Sequence, residues 1–265
     1  MRVLTLLFDT PLQLTLLALL LSLLAAVFWW YFFKQRSSQL TTRNGSILQL
    51  FLVGLVMVIP LALVESSVVA LLPGRFQDIL FTNTGVLTPS RAGIIALVMF
   101  AIAGTFEELS KLYFLKRIMP LREIDQVIDS IKFGIAIGIG FAIVENALFL
   151  LVPLASGDYV NVATTFFLRF FFSTLAHAVY SGMAGYFLGR AKFEPWKRKQ
   201  NTAAAIFLPI LAHGTFNTLL LVGLGFYALP LIIILFLWML HWYQSQKTEK
   251  KFGASAFRLK HRGTR

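Results

Sequence analysis

The motif with the clearest chemical potential in this 265-residue chain is Glu107-Glu108-Leu109-Ser110-Lys111, which lies inside a long apolar run. At about 100° per residue, Lys111 falls between the two glutamates on one helix face, four residues after Glu107 and three after Glu108. Two adjacent buried carboxylates that share one cation cannot both ionise cheaply, so one of them is expected to accept and donate protons. Taken alone, the motif fits either acid–base chemistry or a buried ion-pair cluster.

Three further motifs place polar groups inside later apolar runs. They are Phe141-x-x-x-Glu145-Asn146, His177 and His213-x-x-x-Asn217. His213 and Asn217 lie one turn apart on a helix and together can donate two hydrogen bonds to an oxyanion. Glu145 and Asn146 are expected to orient an imidazole or a water molecule. Because the rise is about 1.5 Å per residue, all these groups fall in one slab of the bilayer, which predicts a shared polar cavity.

The composition indicates what kind of protein must position these groups. Hydrophobic residues make up 57% of the chain and charged residues 14%, whereas soluble domains have about 45–50% and about 25%. The chain has no cysteine, which excludes disulfides, Cys-ligated zinc, iron–sulfur clusters and a thiol nucleophile. Any hydrolytic chemistry must therefore come from carboxylates, hydroxyls or imidazoles.

Seven apolar runs are long enough to cross a membrane as helices, which predicts an all-α polytopic bundle. The predicted spans are residues 11–33, 46–72, 93–114, 133–154, 162–188, 202–222 and 225–243. We therefore expect a membrane domain over residues 1–244, a catalytic core over 93–222 and a basic cytoplasmic tail over 245–265.

The basic residues predict the orientation of these spans. The formal net charge is +12, and nineteen of the 24 lysines and arginines fall in segments that share one side if the N-terminus is outside. A bias of this kind marks the cytoplasmic side and places the C-terminus there. It also accounts for the basic character without a nucleic-acid partner, since anionic lipid headgroups are the natural neighbours of these segments.

With these four motifs in order on four consecutive spans, the chain resembles the PrsW family of intramembrane proteases. These are relatives of the CAAX prenyl protease and bacteriocin-processing (CPBP) superfamily. The resemblance covers residues 93–222. The wider superfamily usually has Phe-x-x-x-His where this chain has Phe141-x-x-x-Glu145, and PrsW-like sequences share that glutamate. The departure favours the PrsW branch over prenyl-protein processing.

The resemblance implies an intramembrane endopeptidase of the bacterial inner membrane that cuts a single-pass membrane protein such as an anti-sigma factor. On this hypothesis Glu107 or Glu108 deprotonates a water held with His177, while His213 and Asn217 stabilise the tetrahedral oxyanion. A zinc ion on Glu108, His177 and His213 is the alternative, because two histidines and a glutamate form a familiar catalytic ligand set. The chain has no His-Glu-x-x-His motif.

Two other functions compete with proteolysis. Intramembrane glutamates and histidines also mark proton relays and transporters, although the chain has neither an inverted repeat nor matched broken spans. A non-catalytic immunity or scaffold member of the same superfamily is the second rival. Outside the motifs, Glu65 and Arg169 lie at similar depth in the second and fifth spans. They are predicted to pair with each other or with outer-face groups as a structural bridge, and a substrate role is the alternative.

Overall fold

The structure is a computed structural model that describes residues 10–36, 44–74, 77, 88–119, 124 and 126–262, with side chains at all of these except 36, 44 and 246–262. The basic residues Arg2, Arg43, Arg75 and Arg122, and the side chains of the predicted tail from 246 onward, lie outside the described residues. Within the described residues the fold is all-helical, and seven helices are long and apolar enough to cross a membrane. The predicted fold class is confirmed.

Seven long helices make up most of the described part of the chain. They are α1 (Pro11–Arg36), α2 (Asn44–Leu71), α3 (Pro89–Ile118), α4 (Val127–Ala155), α5 (Tyr159–Phe193), α6 (Arg198–Leu221) and α7 (Gly225–Arg262). Two of them contain π-helical segments, at Phe100–Glu107 in α3 and at Arg169–Ser173 in α5. A 3-10 turn at Pro195–Lys197 precedes α6.

The helix ends have local causes in the sequence. Pro89 occupies the first turn of α3, and the side chain of Thr88 caps it by accepting a hydrogen bond from the backbone N–H of Arg91. Gly157 has φ +68 between α4 and α5, a conformation that favours glycine, and Asp158 then caps α5. These signals make the connection between α4 and α5 tight enough to hold the two helices side by side.

The helix α7 continues past residue 244, where we predicted a separate tail. Nothing in the sequence interrupts it there, because the glutamine, lysine and glutamate residues that follow are good helix formers. The drop in hydropathy at this point therefore marks the end of the apolar segment and not the end of the helix.

The helix α4 is the centre of the bundle and packs against α1, α2 and α5. Glycines allow the closest of these approaches, since a Cβ at Gly138 would collide with the carbonyl group of His177, and one at Gly140 with that of Phe51. The contact at Gly138 holds the backbone of His177 directly against α4. The sequence of α4 thus fixes where one imidazole enters the interior.

The outer surface of the bundle is apolar, as expected for helices that face lipid. Large exposed side chains include Leu12, Val56, Leu97, Val152 and Ile234. Lysines and arginines collect at the end where α1, α3 and α5 finish and where α2, α4 and α6 begin. We call this the basic end, and there Lys192 donates a hydrogen bond to the carbonyl oxygen of Ile124.

Candidate active site

Six ionisable side chains from four helices meet in the interior of the bundle. We call them the polar cluster: Glu107, Glu108 and Lys111 of α3, Glu145 of α4, His177 of α5 and His213 of α6. All except Glu145 are at most 5% exposed. The structure thus brings together the acids, the lysine and the two imidazoles that the sequence singled out, while their catalytic roles stay predictions.

Lys111 lies at the centre of the polar cluster. Its ammonium Nζ is 2.8 Å from Glu108 Oε1, 3.3 Å from Glu107 Oε2 and 3.1 Å from His177 Nδ1. An ammonium has three N–H donors, so these three acceptors use all of them. The same nitrogen lies 3.8 Å from the centroid of the Phe141 ring, on the apolar side of the cluster.

The π-helical segment of α3 ends at Glu107 and determines where the two glutamates point. The hydroxyl of Thr105 donates a 2.7 Å hydrogen bond to the carbonyl oxygen of Phe100, which supplies a partner for the first residue of the segment. Gly104 lets α3 approach the backbone of α6 beside Gly214. This close crossing places His213 against Glu108. Such π-helical segments frequently occur at functional sites.

His213 is held between a carboxylate and an aromatic ring. Its Nδ1 donates to Glu108 Oε1 at 2.8 Å and lies 3.9 Å from Glu107 Oε2, while the ring of Tyr180 stacks on it with a centroid distance of 5.2 Å. Within the described part of the chain, no hydrogen bond reaches His213 Nε2. The imidazole is therefore oriented through one nitrogen and has the other available.

His177 uses both of its nitrogens within the protein. Its Nδ1 must accept the hydrogen bond from Lys111, because an ammonium cannot accept one, so the ring proton lies on Nε2 and is donated to Glu145. This assigns His177 as a neutral imidazole in one fixed tautomer. It is better placed to hold Lys111 and Glu145 than to hold a water molecule.

The pairing predicted between Glu65 and Arg169 is wrong. Arg169 Nη2 lies 2.9 Å from Glu145 Oε1, and its Nε donates to Asn146 Oδ1 at 2.6 Å. Both partners of Arg169 belong to α4, the helix on which α5 packs most extensively. Glu145 therefore connects Arg169 to His177, a connection that the sequence did not predict.

Asn146 bonds to α5 and not to an imidazole, while its other predicted partner, a water molecule, stays a prediction. Its Oδ1 also accepts a hydrogen bond from Ser173, and its Nδ2 donates to the hydroxyl of Thr174 at 2.8 Å. Thr174 in turn donates to the carbonyl oxygen of Arg169, the first residue of the π-helical segment in α5. Arg169, Ser173 and Thr174 were not predicted as site residues, and their only signal was the presence of polar side chains in an apolar helix.

Asn217 is a predicted site residue that the structure does not join to the polar cluster. It lies one turn after His213 on α6, is partly exposed, and forms no side-chain hydrogen bond with the described residues. Its amide group is therefore uncommitted among the described residues.

The donor set of the cluster fits a divalent metal. Glu107, Glu108, His177 and His213 each offer one ligand atom, and these atoms lie within 4.8 Å of one another. Carboxylate oxygens and imidazole nitrogens are the ligands that zinc takes when thiolates are absent. This group contains all three predicted zinc ligands together with Glu107. In the arrangement described above, the Lys111 ammonium binds three of the four donors.

The fold and the cluster define a polytopic membrane protein with a buried acid–base centre built from carboxylates and imidazoles. A family model described as "PrsW family intramembrane metalloprotease" matches residues 42–241. The chain belongs to this family and is a multi-pass membrane protease.

Curated relatives agree with the family. The chain is 29% identical to "Protease PrsW" of Halalkalibacterium halodurans over 210 residues, which cover 77% of this chain and 83% of the relative. It is 27% identical to the protein of the same name from Oceanobacillus iheyensis over 208 residues, with the same shares covered. It is 31% identical to that of Bacillus subtilis over 157 residues, or 58% of this chain and 66% of the relative. No solved structure matches the chain.

Proposed function

We propose that the chain is an intramembrane endopeptidase that cuts a single-pass membrane protein, such as an anti-sigma factor, with a water activated by a glutamate. The observation that carries this proposal is the polar cluster, in which two carboxylates, an ammonium and an imidazole are packed together inside the bundle. Burying so many ionisable groups is costly in a membrane and points to a functional site. Kinship with the wider CPBP superfamily stays a prediction.

Glu107 is the better placed of the two glutamates to act as the general base. Glu108 Oε1 accepts two hydrogen bonds of 2.8 Å, from Lys111 and His213, which stabilise its ionised form. Glu107 accepts only the longer contact of 3.3 Å from Lys111. We therefore assign Glu107 to take a proton from water and Glu108 to orient His213.

The proposed reaction balances with these groups. The water oxygen attacks the carbonyl carbon of the scissile peptide while its proton passes to Glu107, and the carbonyl oxygen becomes an oxyanion. An imidazolium at His213 donates from Nε2 to that oxyanion, with the amide of Asn217 as a second donor. The proton on Glu107 then passes to the leaving nitrogen as the C–N bond breaks.

The charges of the cluster support an imidazolium at His213. With His213 protonated, the two positive charges of His213 and Lys111 balance the two negative charges of Glu107 and Glu108. Glu145 is balanced separately by Arg169, with neutral His177 between Glu145 and Lys111. A buried ionic cluster with matched charges and hydrogen bonds avoids most of the cost of burying an unpaired ion.

A divalent metal is the second candidate for this centre, favoured by the description of the family model and by the donor set. Glu107, Glu108, His177 and His213 would hold it. When bound, such an ion supplies Lewis-acid polarisation and a more acidic water. Because Lys111 contacts three of these donors, its ammonium would have to withdraw from them.

We also propose that the protein lies in the inner membrane of a bacterium, with the N-terminus outside and the basic end at the cytoplasm. The support is the distribution of lysines and arginines along the chain. Anionic lipid headgroups are the proposed neighbours of the basic end.

The test is cleavage of a single-pass reporter by the purified protein in proteoliposomes. Glu107→Gln is expected to lower the rate by about 10²–10⁴-fold, the usual contribution of a general base, and Glu108→Gln and His213→Ala are expected to lower it too. Glu194→Gln is the matched control, since Glu194 pairs with Arg190 near the basic end, away from the cluster.

Each result of this experiment has one meaning. If cleavage continues unchanged in all three cluster variants, the protease mechanism proposed here is wrong. Proton flux across the vesicles that is lost in the same variants would instead favour the relay. Loss of wild-type cleavage with a zinc chelator, and its recovery with added zinc, would favour the metal over the imidazolium.

A further inference from the structure

Glu65 is a glutamate of α2 that none of the proposed chemical steps uses. It follows Val58 by seven residues and Leu61 by four, so the three lie on one helix face. Val58 is buried, and Leu61 packs against the core group that includes Phe141 beside Lys111. Glu65 continues this inward face by one more turn and is half-buried. It therefore faces the protein and not the lipid.

The carboxyl group of Glu65 has no partner in the described part of the chain. Its Oε1 is buried and forms no hydrogen bond. The two cations inside the spans are bound elsewhere, since Lys111 pairs with Glu107 and Glu108, and Arg169 pairs with Glu145. A carboxylate buried without a partner is costly, so a cation that reaches Glu65 would stabilise it.

Glu65 belongs to the same electrostatic site as the cluster. The charges of Glu107, Glu145, Lys111 and His213 all act on its carboxyl group. Because those side chains and Arg169 balance one another, the described residues leave no counter-charge for an ionised Glu65. A single positive charge on a bound molecule would supply that counter-charge.

The position of Glu65 along α2 indicates which part of a substrate can reach it. Glu65 lies six residues before the end of α2 at Leu71, which is roughly 9 Å along the helix from the end opposite the basic end. Lysine and arginine near the end of a membrane span keep their charged heads toward the interface on long flexible stems. A basic residue of the substrate that lies within about one helical turn of this depth can therefore place its charged head beside Glu65.

We propose that Glu65 binds a lysine or arginine side chain of the membrane-anchored substrate, located on the side of the scissile bond that faces away from the basic end. This inference rests on the proposed function, because it assigns a specificity-determining residue to the same site. It gives the substrate class a recognisable feature, a basic residue near the end of its span.

The test measures binding, so that it does not depend on cleavage. Single-pass reporters carry either lysine or methionine at each of four successive positions on that side of the scissile bond. Their affinity is measured for Glu107→Gln protein in nanodiscs. We expect lysine to lower Kd about tenfold at one or two neighbouring positions, which corresponds to about 1.4 kcal/mol.

Variants at Glu65 identify the origin of this preference. In the same background, Glu65→Gln is expected to bring the lysine-to-methionine ratio of Kd to about one, and Glu65→Lys is expected to favour a glutamate reporter at the same position. Ser67→Ala is the control, since Ser67 lies two residues away and its hydroxyl bonds to its own helix at Leu63. It should leave the ratio as it is.

The inference is overturned if lysine and methionine reporters bind equally well at all four positions, or if the preference survives Glu65→Gln. Absence of binding for every reporter also counts against it. These outcomes differ from failure of the proposed function, which appears as cleavage that does not depend on Glu107. A loss of lysine preference with cleavage intact would reject the Glu65 site alone.

Discussion

At the scale of single residues, Lys111 is the side chain on which the site depends most. It is 1% exposed and directs its three N–H donors at two carboxylates and an imidazole. Because the same ammonium contacts Glu107, Glu108 and His177, it joins the two glutamates of α3 to the network of α4 and α5. A change at Lys111 should therefore affect both stability and activity.

Lys111→Met is predicted to destabilise the protein by about 3–5 kcal/mol, the cost of leaving a partner of a buried ion pair without its counter-charge. Unfolding of the purified protein in mixed micelles would measure this. Lys116→Met is the matched control, because Lys116 is exposed near the end of the same helix.

A double-mutant cycle separates pairing from simple loss of packing. Lys111→Met combined with Glu108→Gln should be less destabilising than the sum of the two single changes, because it removes both charges of one pair. Strict additivity would contradict the pairing.

The sequence was sufficient to find the cluster residues but not all of their partners. Ionisable side chains in apolar runs are rare and costly, so each of them was recognisable one at a time. The partner of Arg169 could not be recognised in this way, because counting residues gives the depth of a side chain but not the direction in which it points. Arg169 begins a π-helical segment, where the angle of 100° per residue no longer applies.

At the scale of helices, both π-helical segments adjoin the site and have the same local arrangement. In α3 the hydroxyl of Thr105 bonds to the carbonyl of Phe100, and in α5 the hydroxyl of Thr174 bonds to the carbonyl of Arg169. In each case the threonine is five residues after the first residue of the segment. This spacing stabilises the wider turns that orient Glu107 and Arg169, and it was not among the features predicted from the sequence.

The close contact between α4 and α5 at Gly138 can be tested by mutation. In Gly138→Ala, the new Cβ would collide with the backbone carbonyl of His177, so α4 and α5 must separate and the hydrogen bond from His177 on α5 to Glu145 on α4 must lengthen. We expect lower thermal stability and a cleavage rate reduced at least tenfold, in line with the steep dependence of catalysis on positioning.

Gly93→Ala is the matched control for the close approach of α4 and α5. Gly93 is also helical, but a Cβ there meets nothing within 4 Å, so this change should be neutral or slightly stabilising. Equal losses in the two variants would show that glycine is not needed for close packing at Gly138.

At the scale of the whole molecule, the seven apolar helices and the basic end fit the proposed orientation. The fold class was predictable because the apolar runs are long and the charged segments between them are short. The end of α7 was not predictable, because hydropathy marks the membrane border, whereas helix propensity does not change there.

The absence of native cysteine makes the orientation directly measurable. Ser90→Cys, at the end of α3 opposite the basic end, should react with a membrane-impermeant maleimide on intact spheroplasts. Lys197→Cys, at the basic end, should react only after lysis. Both positions are exposed. The reverse pattern would invert the proposed topology and place the basic end outside.

The distance along the chain between Glu108 and His213 also affects how the protein is made. The two residues that bond to each other are 105 positions apart, and ribosomes add about 5–20 residues per second. For roughly 5–20 s, therefore, α3 has left the ribosome with two carboxylates, one ammonium and no imidazole from α6. A newly made α3 is poorly suited to lipid during this interval, so it should remain in the protein-lined translocation channel until the later helices arrive.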